Sequence, residues 1–253
     1  PEILSQMREA FFATIFCGIE TPDPVALKAM HKDHNMMVPI MEAIETLNSF
    51  GMEVVSGIIL GLDTDKPETG SHLLNFIDQS QIPLLTINLL QALPQTPLWD
   101  RLKREDRLVE DESRDSNVAF RLPYEDVVAT WRKCMGSAYQ PDKLLQRFEY
   151  QIRHTYPHRL HPPPSRARLS AKNIKLGLTM LRNIFWKVGI QGDYKREFWK
   201  FAMRRLRRGE IEYLISSIMV AHHLIMFARN ASRGQTNASY YSLKLQDASV
   251  PAE

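Results

Sequence analysis

Cysteine is scarce. Among 253 residues only Cys17 and Cys134 occur, far apart and without a CxxC partner, so thiolates of this chain can assemble neither a disulfide scaffold nor a zinc or iron–sulfur cage. Cys17 sits in an apolar run and reads as a small buried hydrophobe. Long apolar runs are lacking as well. The best candidate, Tyr213 to Ala228, is interrupted by Ser216, Ser217, His222 and His223 and falls short of the ~20 apolar residues of a transmembrane helix, so a buried helix is expected. No basic-then-apolar leader opens the sequence, which starts Pro1-Glu2, and a reducing, cytoplasmic setting is the expectation. No internal repeat is evident.

The net charge of +3 hides an uneven distribution. Residues 151–210 carry 15 Lys and Arg against three acids, whereas the remainder carries 17 against 26. The two parts face different surroundings or face each other. With 44% hydrophobic and 24% charged residues, the chain is ordinary for a globular protein with one large core or two smaller ones.

The most ordered pattern runs from Ile15 to Leu98. An apolar run, Ile15 to Ile19, closes in Glu20-Thr21-Pro22-Asp23-Pro24. Ile40, Ala43, Ile44, Leu47 and Phe50 then recur at helical steps, so one face must be buried. Gly51 ends that helix. Met52 to Gly61 reads as a β-branched strand, Gly70 to Gln79 as a helix, and Leu84 to Leu90 as a third strand. Repeated βα units of this kind imply a parallel sheet. In such folds chemistry gathers at the C-terminal ends of the strands, where Glu20, Asp63, Asp65 and Gln91 fall.

Gly18-Ile19-Glu20-Thr21, followed by Leu27-Lys28-Ala29-Met30-His31-Lys32, resembles the fourth-strand region of radical S-adenosylmethionine (SAM) enzymes, in the branch that carries a cobalamin-binding domain. Gly51-Met52, Gly57 to Asp65 and Leu93-Pro94-Gln95-Thr96-Pro97-Leu98-Trp99 are similar to the fifth- and sixth-strand regions of that branch, with the nearest likeness to its hopanoid methylase group. The resemblance implies an α/β fold: a partial (βα) barrel of the radical SAM type followed by an all-helical C-terminal domain. It implies SAM, a [4Fe-4S] cluster and cobalamin as cofactors of the full-length parent, with none assured in this chain. The implied activity is methyl transfer to an unactivated carbon, with a hopanoid lipid as the candidate substrate. By carry-over, Gly18 and Glu20 contact SAM, Gly57 and Gly61 lie beside its methionine and adenosine moieties, and Gln91 and Leu93 face adenine or substrate. Catalytic residues are not assigned.

The cluster motif CxxxCxxC is absent. The chain therefore reads as the C-terminal part of a longer protein, inactive alone, whose first partner is the missing N-terminal part of the same polypeptide. The other reading is a non-catalytic βα and helical module that binds a protein or an anionic membrane surface.

The expected division is 1–108 for the half-barrel, 109–160 for a helical extension and linker, 161–229 for a basic helical domain, and 230–253 for a mobile tail. A charged helix from Leu98 to about Leu108 covers the sheet edge with Trp99 and Leu102, while Arg101, Lys103, Arg104 and Glu105 face water. After the polar loop 108–117, Tyr124, Val127, Val128, Trp131 and Met135 keep helical spacing until Gly136 breaks it. A helix after Pro141 buries Leu144, Leu145, Phe148 and Ile152, and His161-Pro162-Pro163-Pro164-Ser165 makes a stiff linker. Ser170 caps a helix whose inner stripe is Ile174, Leu178, Leu181, Phe185 and Val188. Tyr194, Phe198, Phe201 and Met203 form an aromatic face in the next helix, and a last helix runs from about Glu210 to Arg229.

Several residues invite a second reading. A solvated loop acid would look like Glu20 locally, and a bulge and a tight turn would account for Gly57 and Gly61. Asp63 and Asp65 lack the further oxygen ligands of a metal site, and His31-Lys32-Asp33-His34 lacks a third ligand, so no metal is expected. His222 and His223 point about 100° apart on a helix; one of them is expected to pack in the bundle with a partner for its nitrogen. The basic segment Lys195 to Arg208 fits packing against the acidic βα region or an anionic lipid surface, hence a peripheral position at the inner membrane surface. It does not fit nucleic acid, because its aromatics take core spacing.

Overall fold

The computed structural model describes residues 2–111, 113–162 and 170–235, with Asp33 and His34 described by backbone only. Along the chain come α1 (Glu2–Glu9), β1 (Thr14–Glu20), α2 (Pro24–Ala29), α3 (Ile40–Ser49), β2 (Glu53–Leu60), α4 (Thr69–Ser80), β3 (Leu84–Leu89) and α5 (Pro97–Arg104). Then follow α6 (Tyr124–Ala138), α7 (Pro141–His154), α8 (Ala171–Ile184), a π-helical turn (Phe185–Ile190), α9 (Lys195–Arg207) and α10 (Ile211–Ser232). The fold is mixed α/β, with a small parallel sheet and many helices.

The three strands lie in the order β1-β2-β3, and both pairings are parallel. Strand alternation divides the side chains between two unlike faces. Val54, Ile58 and Leu60 of β2 and Leu85, Ile87 and Leu89 of β3 are buried against Ile44 of α3, Phe76 and Ile77 of α4, and Trp131 of α6. The opposite face carries Phe16, Gly57, Thr86 and Asn88, with Gly57 paired to Thr86 and Ile59 to Asn88. At the C-terminal end of this face Ile59 packs against a small cluster that includes Ala26 of α2 and Leu102 of α5, whereas Phe16 is 68% exposed.

The two sheet edges are treated differently. At β3, α6 closes the edge: the Trp131 indole donates to the Ile87 carbonyl at 2.7 Å, and the Tyr139 hydroxyl donates to the Leu85 carbonyl. At β1 no further strand follows among the described residues. An edge left with unpaired amides and carbonyls is a place for another strand.

The helical half is built on α10. By length and composition α10 is the one helix among the described residues able to cross a membrane, yet one stripe of it, including Leu214, Ile218, Ala221 and Ile225, is buried in the shared core. The buried Arg205 of α9 donates to both carboxylate oxygens of Glu149 in α7 at 2.9 Å and lies 2.7 Å from Glu210. This ion cluster ties α7, α9 and the start of α10 together.

Several expectations change. Gly136 does not end α6, which continues to Ala138; a Cβ there would lie 3.5 Å from the Ser232 Cβ, so the residue sits where α10 passes. Arg101 does not simply face water but reaches Asp63 at 2.6 Å. Ser170 caps α8 by accepting from the Asn173 amide at 3.3 Å, but Ile174 and Leu178 of its apolar stripe are exposed, at 51% and 63%. Met203 is likewise exposed while Tyr194, Phe198 and Phe201 are buried. The ion pairs described for residues 195–208 reach Glu149 and Glu210 and not the βα region. Most of the linker from Pro163 and the tail from residue 236 onward lie outside the described residues.

Candidate functional site

The C-terminal ends of the strands form a cavity of about 250 Å³ lined by Phe16, Glu20, Gly57, Asn88, Gln91 and Leu93, among others. Glu20 is the last residue of β1, with φ of +63° and a register shift in the β1–β2 pairing between Cys17 and Glu20. This left-handed conformation costs a non-glycine residue energy. It goes with a side chain at the cavity wall, where Lys32 Nζ meets Glu20 Oε1 at 2.6 Å. Lys32 itself lines a second cavity of about 520 Å³ on the α3 side, with Gly18 and Asn35. The ion pair thus stands between the two spaces.

Each sequence-derived candidate has a definite place. Gly18 lies in β1 beside the second cavity; its carbonyl accepts from Asn35 Nδ2 at 3.0 Å, and a Cβ there would come within 2.9 Å of Glu20 Oε1. Gly57 lies on the uncovered sheet face, where a Cβ would stand 3.3 Å from Thr86 Oγ1. Its missing side chain leaves the cavity floor flat. Gly61 is not brought into this cavity: with φ of +91° it turns the chain after β2, and a Cβ would lie 2.5 Å from the Phe120 ring.

Gln91 donates to the Asp115 carbonyl at 2.8 Å and accepts from the Asn117 amide at 3.3 Å. Asn117 in turn exchanges hydrogen bonds with the backbone of Ala92 at 2.9 and 2.8 Å, and Ser116 donates to the Leu90 carbonyl at 2.6 Å. The loop expected to be merely polar is therefore pinned along the end of β3 and holds the rim in place. Leu93 lines the same cavity as an exposed apolar residue.

The carboxylates after β2 have structural partners. Asp63 accepts from Arg101 and Arg107, both at 2.6 Å; burial alone would raise its pKa, but the two guanidinium groups outweigh it and hold the carboxyl below its usual value. Asp65 accepts from the amides of Gly61 and Leu62 at 2.7 and 3.1 Å. Burial nevertheless pushes its pKa up to about 6, with Asp23 and Asp63 adding repulsion. Among the described residues no group of three His, Cys, Asp or Glu is arranged to hold a metal. His222 in α10 meets the Tyr194 hydroxyl at 2.6 Å through Nδ1, which gives it the partner expected for a histidine in the bundle. Burial, then the nearby Lys187 and Arg229, lowers its pKa.

Sequence patterns alone do not single out Lys32, Thr86, Asn88 or Phe16 as site residues. The alternation in Leu84-Leu85-Thr86-Ile87-Asn88-Leu89 places Thr86 and Asn88 together on one face and is a usable signal. Lys32 has none, because it reaches Glu20 only after the segment containing α2 folds back over the strand end.

The chain matches, over residues 96–237, the family described as a domain of unknown function, DUF4070. It is 68% identical over 254 residues to a hopanoid C-2 methylase of Rhodopseudomonas palustris, covering 100% of this chain and 48% of that protein. An uncharacterized methyltransferase of Synechocystis is 28% identical over 97% of this chain and 47% of its own length. A bacteriochlorophyllide d C-12(1)-methyltransferase of Chlorobaculum tepidum is 22% identical over 59% of this chain and 34% of its own length. The chain thus spans about half the length of the first two relatives. No solved structure matches it. The likeness to the hopanoid methylase group, expected from the motifs, is borne out.

Proposed function

This chain belongs to the DUF4070 family, and from that premise we propose that it is the C-terminal part of a cobalamin-dependent radical SAM methyltransferase. The bare sheet face is one wall of its SAM site, β1 is the strand on which the rest of the barrel continues, and the substrate is a hopanoid lipid methylated at an unactivated carbon. The observation that carries this reading is the 68% identity across the whole chain to a hopanoid C-2 methylase. The open part of that face around Phe16 and a β1 edge that gains no further strand among the described residues support it, because a sheet completed by more polypeptide has this form.

The residues present do not fit a cluster. Cys17 and Cys134 are the only thiols, burial raises the pKa of both, and Cys134 lies against the Gly70 carbonyl. Cluster and cobalamin ligands therefore belong to the longer polypeptide in this reading.

The same residues do fit one side of SAM. Gly57 leaves room for a flat group, Glu20 offers carboxylate oxygens to ribose hydroxyls or an ammonium group, and Asn88 and Thr86 offer further polar atoms on the same face. Leu93 provides apolar cover. At about 250 Å³ the cavity is below the ~300–1,000 Å³ of complete small-molecule sites, in keeping with a single wall. The cofactors supply the radical and methyl-transfer chemistry, while these residues bind, orient and help exclude water.

Calorimetric titration of SAM into the longer polypeptide tests the site. Gly57→Val, which fills the floor, is expected to weaken binding by about tenfold or more, about 1.4 kcal/mol, and Glu20→Gln by less. Unchanged affinity in both variants would remove the proposed wall.

A further inference from the structure

We propose that the outer surface formed by α8, the π-helical turn and α9 docks on an anionic lipid bilayer. It rests on an exposed apolar patch and its cationic surround, and it holds whether or not the SAM site is as described above.

The patch begins where α8 departs from its expected packing. Its apolar stripe reaches the core only toward the C-terminal end, through the buried Ile184 and, beyond it, Val188. The first turns stand clear: Ile174 and Leu178, one turn apart, are exposed on that stripe, Leu176 is exposed on the other side of the helix, and a Cβ at Gly177 would meet nothing within 4 Å. Apolar side chains at helical spacing with no described cover leave a free face on this helix.

The π-helical turn and α9 extend this surface. Trp186 and Ile190 are 57% and 56% exposed. Their neighbours Phe185 and Gly189 are held by Trp199, whose ring stacks on Phe185 at 5.5 Å and whose indole donates to the Gly189 carbonyl at 2.9 Å. Trp199 and, one turn further, Met203 are themselves exposed. Trp186 and Ile190 each follow a residue that Trp199 touches, which sets them on outer surface next to Trp199 and Met203.

Charge identifies the occupant. Arg196, Lys200 and Arg207 are exposed on the same face of α9 as Trp199 and Met203, and Lys187 is exposed beside Trp186. The sole acid between 195 and 208 is Glu197. Indole rings favour the headgroup level of a bilayer, and long cationic side chains reach its phosphates while their stems lie along apolar surface. An interfacial element has this composition: apolar groups entering the acyl boundary and cations drawn to anionic lipid. Nucleic acid would not use the aliphatic half of the patch. Here α10 stays in the bundle core, and the surface lies on the membrane.

Flotation of the full chain with vesicles of phosphatidylcholine, alone or mixed with phosphatidylglycerol, tests this. Binding to the anionic vesicles at low salt is expected, with loss at high salt and little binding to phosphatidylcholine alone. Brominated acyl chains should quench the tryptophan emission. Trp186→Ser and the pair Lys200→Glu with Arg207→Glu, all at exposed positions, should each weaken binding about tenfold with unchanged circular dichroism. No flotation with anionic vesicles at low salt, or flotation that survives both sets of changes, would overturn the proposal. So would self-association without lipid that is lost in Trp186→Ser, which would assign the face to a second copy.

Discussion

The sheet and the helical bundle bury their apolar surface by different means. In the sheet, Val54, Ile58, Leu85 and Ile87 are covered on one face by α3, α4 and α6, while the other face is open around Phe16 and covered at Ile59, and β1 gains no further strand among the described residues. In the bundle, α7, α9 and α10 enclose a core that includes the charged Arg205–Glu149 pair, and the open surface is on the outside, at α8 and the π-helical turn. The difference shows that apolar surface without a cover has no single meaning. The sheet's open face carries a glycine floor, polar side chains and a pinned rim, as a small-molecule wall requires; the bundle's open face carries indoles among cations, as an interface with lipid requires.

The contrast can be broken at its ion pairs. Removing Arg205 empties a fully buried position and takes one partner from Glu210 and one from Glu149, which keeps Arg153 at 2.6 Å, so Arg205→Ala should destabilise the chain by about 3–5 kcal/mol, read from urea unfolding. The Lys32–Glu20 pair is partly exposed and should be worth only about 0–1 kcal/mol to stability. If Lys32→Ala proved as damaging as Arg205→Ala, the assignment of one pair to structure and the other to a site wall would fail.

A middle-sized effect belongs to the sheet end. Because the Asp65 pKa is raised in the folded chain to about 6, the folded state holds its proton more tightly than the unfolded state does. Its contribution to stability is therefore fully present below the unfolded value near 3.8 and is lost as pH rises toward and through 6. The loss amounts to about 1.4 kcal/mol for each pH unit that separates the folded value from the unfolded one. Asp65→Asn should flatten that decline between pH 4 and 6 in thermal melts. Asp63, whose pKa is lowered, has the opposite sign: its contribution is present above the usual carboxylate value and is lost on acidification through the folded one. A decline equally steep in Asp65→Asn would remove Asp65 as its cause.

The smallest effect is the most pointed. Sequence periodicity makes Leu178 a core residue, for which truncation to alanine costs about 2–5 kcal/mol. Its exposure of 63% makes the expected cost of Leu178→Ala within about 0.5 kcal/mol. A large loss would mean that α8 packs more closely than described.

The order of strands and helices between Ile15 and Leu98 is legible because β-branched runs alternate with helical stripes and are punctuated by Gly51, Gly61 and Pro97. Of the residues proposed for the site, Glu20, Gly57, Gln91 and Leu93 line one cavity, and their positions at or near strand ends are the signal. Gly61 and Gly18 are less legible. A turn glycine and a ligand-facing glycine look alike until the Phe120 ring or the neighbouring strand is located. Gly136 and the α8 stripe mislead for a related reason: periodicity reports which face is apolar but not whether anything lies against it. Arg205 reads as a cation at a helix end, since nothing local reveals that Glu149, 56 residues earlier, will be brought beneath it.

The central claim is that the bare sheet face receives the cofactor. Hydrogen–deuterium exchange on the longer polypeptide, with and without SAM, tests it directly. Slowed exchange is expected at 16–20, 57–61 and 86–93, with α8 and α9 unchanged. Slowing confined to the helical bundle, or none at the strand ends despite measured SAM binding, would contradict it.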